Sequence, residues 1–175
     1  MKSLTRYIQE KLIIKKNKYN YFPETKEELK AIIKQRIKEE GKKVDLNDID
    51  VSNIIDMSYL FEDCLDFNGD ISAWNVSNVM DMHSMFWGCK KFNQDISSWD
   101  VSNVRNMYGC FANCINFNKD ISAWDVSKVK NMSFMFYICE SFNQDISQWD
   151  VSNVKFIDQI FYRCPIEEKY KPKFK

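Results

Sequence analysis

From Asp45 onward, apolar and polar positions follow one pattern that returns every 25 residues. Val-Ser-Asn stands at Val51, Val76, Val101 and Val151, with Val-Ser-Lys at Val126. Tryptophan keeps station at Trp74, Trp99, Trp124 and Trp149, and phenylalanine at Phe61, Phe86, Phe111, Phe136 and Phe161. Cysteine does so at Cys64, Cys89, Cys114, Cys139 and Cys164, and aspartate at Asp70, Asp95, Asp120 and Asp145. A fixed period of this size, kept without insertion, marks a repeat array whose units cover their apolar sides only by stacking on one another.

Each unit divides into two halves. Phe92 to Trp99 is short, carries Ile96 and Trp99, and lacks helical spacing, so it reads as a strand stacked in parallel on its copies. Val101, Val104, Met107 and Phe111 then recur at intervals of three and four, a helical period. Ser102 or Asn103 can cap that helix, and Cys114 closes its buried face. The predicted fold is an α/β repeat solenoid on the leucine-rich-repeat plan, with a short parallel strand and a short helix per 25-residue turn.

Residues 1–43 precede the array and read as a helical N-terminal cap. Leu4, Tyr7, Ile8, Lys11 and Leu12 have helical spacing, and Thr25-Lys-Glu-Glu28 is a capping box for a second helix that Gly41 would stop. Leu29, Ile32, Ile33 and Ile37 line one face of that second helix, suited to sealing the first repeat. Ile49 stands there in the tryptophan column, a smaller residue fit to face a helix. Residues 44–164 form the solenoid of about five repeats. Pro165 breaks the pattern, and 165–175 is a basic C-terminal tail expected to fray.

The run Asp-Ile-Ser-x-Trp-Asp-Val-Ser-Asn-Val-x-x-Met-x-x-Met-Phe-x-x-Cys resembles the BspA-like leucine-rich-repeat family, in the 25-residue form known from Mycoplasma surface proteins. Similar repeats occur in Bacteroides-type bacteria, their phages, giant viruses and protists. The resemblance covers about residues 44–164 and rests on the Trp, Val-Ser-Asn, Met-Phe and Cys stations together. It implies a leucine-rich-repeat solenoid, often used in adhesion or surface recognition, and no enzyme activity. The cap segment, with Tyr-Ile-Gln-Glu-Lys-Leu-Ile-Ile-Lys-Lys, is similar to regions that precede such repeats in gut-phage proteins.

The formal net charge is zero, but it is unevenly distributed. Residues 1–43 carry 13 Lys/Arg against 6 Asp/Glu, and residues 44–162 carry 7 against 17. An acidic array argues against nucleic acid along the repeats. No stretch approaches the ~20 apolar residues of a membrane span, so none is expected. The start of the chain lacks the apolar core and cleavage site of a signal peptide, which places it in the cytoplasm or in association with a virion. Five of the six cysteines form one repeat column, and buried free cysteine behaves as a small apolar group. They read as a reduced thiol ladder.

No catalytic, metal or cofactor site is expected. The only histidine, His83, shares its column with Tyr108, Ser133 and Asp158 and reads as a surface position. Cys110 and Cys114 lack the further ligands that zinc requires. The aspartate columns, including Asp50, Asp100, Asp125 and Asp150, could bind calcium between turns. They read more simply as acceptors for turn N–H groups, and the column of Asn68, Asn93, Asn118 and Asn143 likewise. The tryptophan ladder reads as packing. Columns that vary are free of packing constraint and are the candidate contact surface. Trp87, Tyr108, Phe134, Tyr137 and Tyr162 are its aromatic members, and Gln94, Lys119 and Gln144 its polar ones. Exposed aromatics suit a protein interface. The expected function is a non-enzymatic protein-binding module; the alternative is a structural or virion-associated component docked through its basic N-terminal segment.

Overall fold

The structure, a computed structural model, describes residues 18–174. The first of the expected N-terminal helices, at Leu4 to Leu12, lies outside them. The α-helix that lies wholly within the described residues is α1, Lys26–Glu40, and a single 3-10 turn follows at Glu168–Tyr170. The strand and helix expected in every repeat do not form. No strand is present among the described residues, and the repeats touch through isolated parallel bridges such as Asp81↔Asn106 and Asn106↔Asn131. The α/β solenoid, and the leucine-rich-repeat plan with it, is therefore overturned.

Two physical features explain the difference. The first is the period. Backbone hydrogen bonds within a repeat close four-residue β-turns whose ends are three apart: Trp99 N to Ile96 O, Val104 N to Val101 O, Cys110 N to Met107 O, Cys114 N to Phe111 O and Phe117 N to Cys114 O. Every one of those turn ends is apolar and buried. The interval of three in the sequence is thus a turn spacing, not a helical one, and the central residues of the turns lie nearer the surface than their ends, except for the buried Gly109 and Ala112. An aspartate or asparagine before each of the first three turns accepts the N–H two residues on. Asp95 takes Ser97 at 3.0 Å, Asp100 takes Ser102 at 3.0 Å and Asn106 takes Tyr108 at 3.2 Å. The unit is therefore Asx-apolar-x-x-apolar, written three times and followed by Phe-x-x-Cys-x-x-Phe.

The second feature is the direction of the bonds between repeats. Met82, Ser84, Phe86 and Gly88 donate their N–H to the carbonyls of Asn106, Tyr108, Cys110 and Ala112, at 2.8–3.0 Å. Met57, Tyr59, Phe61 and Asp63 do the same one repeat earlier, and Met107, Gly109, Phe111 and Asn113 one repeat later. In a parallel β-ladder each strand both donates and accepts along the same edge. Here every backbone bond that this stretch makes to a neighbouring coil runs one way, its N–H groups donating to the next repeat and its carbonyls accepting from the previous one, while Met85 and Trp87 close turns within the repeat, so no strand pairing arises. Two columns hold this backbone in the left-handed region. Tyr59, Ser84, Gly109, Phe134 and Gln159 have φ of 51–60°, and Asp63, Gly88, Asn113, Ile138 and Arg163 have φ of 53–76°.

Five coils stack in this way, with ladders of identical side chains between them. Phe61, Phe86, Phe111 and Phe136 stack at 5.4–5.8 Å between ring centres, and each lies 4.2–4.3 Å from a second phenylalanine of its own coil. The four tryptophans of the repeat ladder are buried, and each indole N–H reaches back one coil: Trp74 to Leu46 O, Trp99 to Ile71 O, Trp124 to Ile96 O and Trp149 to Ile121 O, at 2.9–3.2 Å. Asn68, Asn93 and Asn118 each accept the N–H of the asparagine one coil on, at 2.9–3.1 Å. All six cysteines are free. Cys89, Cys114 and Cys139 direct their thiols to Phe61 O, Phe86 O and Phe111 O, and burial pushes all three thiols well above the ordinary range.

The ends of the stack are closed differently. Thr25 accepts the Glu28 N–H to begin α1, and Gly41, at φ 91°, ends it by donating to Ile37 O. Leu29, Ile33 and Ile37 join the core, while Lys26 reaches Asp56 at 2.6 Å and Lys30 donates to Tyr59 O at 3.0 Å. Arg36 clamps the same junction: it pairs with Glu40, holds both Asp48 oxygens at 2.9 and 3.1 Å, donates to Asp45 O and lies over the Tyr21 ring. At the other end the tail does not fray. Tyr170 O accepts the Ile146 N–H at 3.0 Å, Glu167 N donates to Asn143, and Ile166 and Pro172 are buried.

The turn carboxylates generate a pH dependence. Hydrogen bonds from Ser97 and Ser122 hold Asp95 and Asp120 below their ordinary pKa, and Ser147 does the same for Asp145. For Asp120 the like charges of Asp95 and Asp145 oppose this, but less strongly. A folded pKa below the unfolded one gives stability that is complete above about pH 4 and is lost as pH falls through the folded value. In the other aspartate column Asn75 already makes the same turn bond, to the Ser77 N–H. The combined variant Asp95→Asn, Asp120→Asn, Asp145→Asn is expected to fold at neutral pH and to lose less melting temperature than the wild type between about pH 4 and 2. Thermal melts across that range measure it; parallel losses in both proteins would contradict the assignment.

Candidate interaction surface

The outward positions of the turns carry the candidate surface. Between buried Met82 and Met85 the chain turns through His83 and Ser84, and between Ser84 and Trp87 it turns again. The corresponding positions of successive coils bring aromatic side chains together in one strip. Tyr59 lies 4.5 Å from His83 and bonds its Nε2 at 3.0 Å through the phenol oxygen. His83 meets Tyr108 edge-on at 4.9 Å, and Trp87 stacks on Tyr108 at 6.5 Å. Tyr108 continues to Phe134 at 5.4 Å, Phe134 to Tyr137 at 5.5 Å, and Tyr137 to Tyr162 at 5.2 Å. Trp87, Tyr108, Phe134 and Tyr137 are half-buried, and Tyr59 and Tyr162 are exposed. The five aromatic residues singled out from the sequence thus fall into one connected row.

That row borders a shallow depression of about 440 Å³, lined by Tyr59, Glu62, His83, Trp87, Asn106 and Tyr108 among others. It combines ring faces with amide and carboxylate oxygens.

Three members of this surface escaped the sequence reading. Tyr59 and His83 extend the row through the first two coils, although His83 had been read only as a surface position. The signal was present, since His83 shares a column with Tyr108 and Tyr59 shares one with Phe134. Gly109 is the third. A Cβ there would come within 2.6 Å of the Trp87 ring, so the glycine is what lets the indole lie against the neighbouring coil.

The polar candidates behave otherwise. Gln94 donates to Asn68 O at 2.9 Å, and Gln144 to Asn118 O and Oδ1 at 3.2 and 2.8 Å. Their amides reinforce the asparagine ladder. Lys119 is half-buried in the same column. Both aspartate columns are likewise committed to turn N–H groups, and among the described residues no three His, Cys, Asp or Glu side chains are grouped as metal ligands. No helix among the described residues is long and apolar enough to cross a membrane.

Two segments of the chain, residues 29–114 and 98–170, match the model of a family described as Mycoplasma protein of unknown function, DUF285. Together they take in most of α1 and all five coils. The chain belongs to that family. No curated protein and no solved structure matches it. In this DUF285 chain the matched segments include the whole aromatic row, Tyr59 to Tyr162.

The contact between Gly109 and Trp87 can be tested by a double-mutant cycle. Gly109→Ala imposes a left-handed penalty of about 1–2 kcal/mol and also displaces the indole. In a Trp87→Ala background only the backbone part remains, so the cost of Gly109→Ala in urea unfolding is expected to be smaller. Equal costs in the two backgrounds would show that the glycine does not seat the ring.

Proposed function

We propose that this DUF285 protein is a non-enzymatic, BspA-like recognition module that binds a protein partner along the aromatic row. The observation that carries the reading is the continuity of that row, six aromatic residues and His83 running from the first coil to the last. Half-buried rings held by their neighbours present apolar area at small cost in side-chain entropy, and tyrosine and tryptophan are the residues that most often dominate interface energetics. Acidic turns on the same coils favour a partner with basic groups at its rim. His83 bonds a phenol rather than a carboxylate, which supports recognition over acid–base catalysis.

Substitutions that borrow residues from the same columns separate recognition from stability. Ser133 stands in the column of Tyr108, and Ala112 in that of Tyr137. The Tyr108→Ser, Tyr137→Ala variant should therefore fold, with a melting temperature close to wild type. In affinity capture with the immobilised full chain, a protein retained by the wild type is expected to be lost from this variant. It should be kept by Gln94→Ala, Gln144→Ala. Retention unchanged by the aromatic substitutions, but abolished by reversing charges in residues 1–43, would favour the docked structural component instead.

A further inference from the structure

Along the Met82–Gly88 stretch and its copies, the two ends of the stack have opposite backbone polarity. Because every inter-coil bond in the Met82–Gly88 stretch and its copies runs the same way, the first coil is left with carbonyls facing outward and the last with N–H groups. At the carbonyl end α1 is docked, and its Lys26 and Lys30 supply ammonium groups to Asp56, Ser58 and Tyr59 O. At the other end the N–H groups of Ile157, Gln159, Phe161 and Arg163 occupy the positions that donate in all four preceding coils, and they have no partner among the described residues. Gln159 and Arg163 keep the left-handed φ of their columns, 55° and 53°, so the four donors are already held as in the coils beneath. Aligned N–H groups of this kind form a concentrated acceptor-binding edge.

At the start of this edge the side chains also lack a covering layer. Ile157 is 40 % exposed, whereas Met132 and Met107 in its column are fully buried. Phe156 is 55 % exposed and replaces the turn-forming Asx of the other coils. The C-terminal tail pairs its backbone with the other half of the coil, at Asn143 and Ile146, and touches this half only through side chains, Lys171 lying over the Phe161 ring at 5.7 Å.

We infer that the Ile157–Arg163 edge is a docking site for a polypeptide segment of another protein, one that lays a row of backbone carbonyls on the four N–H groups and an apolar side chain on Ile157 as a further layer of the stack. The donors select the occupant: a segment in the repeat conformation offers carbonyls at the matching spacing and only donors on its far side. A second copy of this chain is a poor fit, since its own outward carbonyls lie where α1 is docked. This mode is edge augmentation, with main-chain bonds giving affinity and side chains giving specificity.

Hydrogen exchange on the full chain tests the inference, with a synthetic peptide of the sequence 126–141 as the probe, since that segment carries the carbonyls of Asn131, Ser133, Met135 and Tyr137 that accept from the third coil. In the protein alone, the amides of Ile157, Gln159, Phe161 and Arg163 are expected to exchange freely while those of Met132, Phe134, Phe136 and Ile138 are protected. The peptide should slow the four edge amides by at least about tenfold, a scrambled peptide should not, and Ile157→Asp should abolish the effect without lowering protection at 132–138. Protection of the edge in the protein alone at every concentration would overturn the inference by showing that the chain covers itself. Protection that grows with protein concentration would overturn it in favour of a second copy, and an open edge indifferent to the peptide would overturn it outright.

Discussion

The structure depends on a backbone that cannot satisfy itself within one coil. A run of short turns closes some N–H groups locally, but Met82, Ser84, Phe86 and Gly88 and their copies have no acceptor except the coil that follows. An unpaired buried N–H costs about as much as a lost hydrogen bond, on the order of 1–3 kcal/mol. Each coil is therefore stable only where it is covered, and cooperativity passes along the stack by nearest neighbours. The same one-way bonding gives this side of the stack a direction, with carbonyls at one end and N–H groups at the other.

The side-chain columns solve the same problem. Tryptophan reaches back to the carbonyl of a residue 28 positions earlier, and cysteine does so from Cys89, Cys114 and Cys139. Asparagine accepts the N–H of its own copy one coil on. Among the described residues no buried side-chain nitrogen or oxygen lacks a partner. These positions keep their identity because both their shape and their one polar atom are used. Positions whose side chains only face solvent are released to vary, and on one side of the stack they have become the aromatic row.

Much of the stacking was legible in the 25-residue period, because side chains in register between coils need the same residue at the same station. The capping residues of α1 were legible as well, through Thr25, Glu28 and Gly41. Local conformation was not. An apolar interval of three, as between Val101 and Val104, resembles one face of a helix unless the Asx before each turn is weighed with it, and Asp100 with Ser102 was that clue. Short runs rich in Ile and Trp suggested strands, but the left-handed φ at residues as unlike as Ser84, Phe134 and Ile138 leaves no mark on the sequence. The aromatic row could be read by column from Trp87 to Tyr162, whereas the parts supplied by Tyr59, His83 and Gly109 required knowing that adjacent columns share a face.

The central claim is the one-way backbone ladder, and its most direct measurement is the scalar coupling transmitted through hydrogen bonds in solution NMR. The account predicts couplings from the amide nitrogens of Met82, Ser84, Phe86 and Gly88 to the carbonyl carbons of Asn106, Tyr108, Cys110 and Ala112, with none in the reverse direction. Reciprocal couplings between these two segments would instead mean an ordinary parallel strand pair. Couplings from each amide to the carbonyl four residues earlier would mean a helix, and either pattern would contradict the fold described.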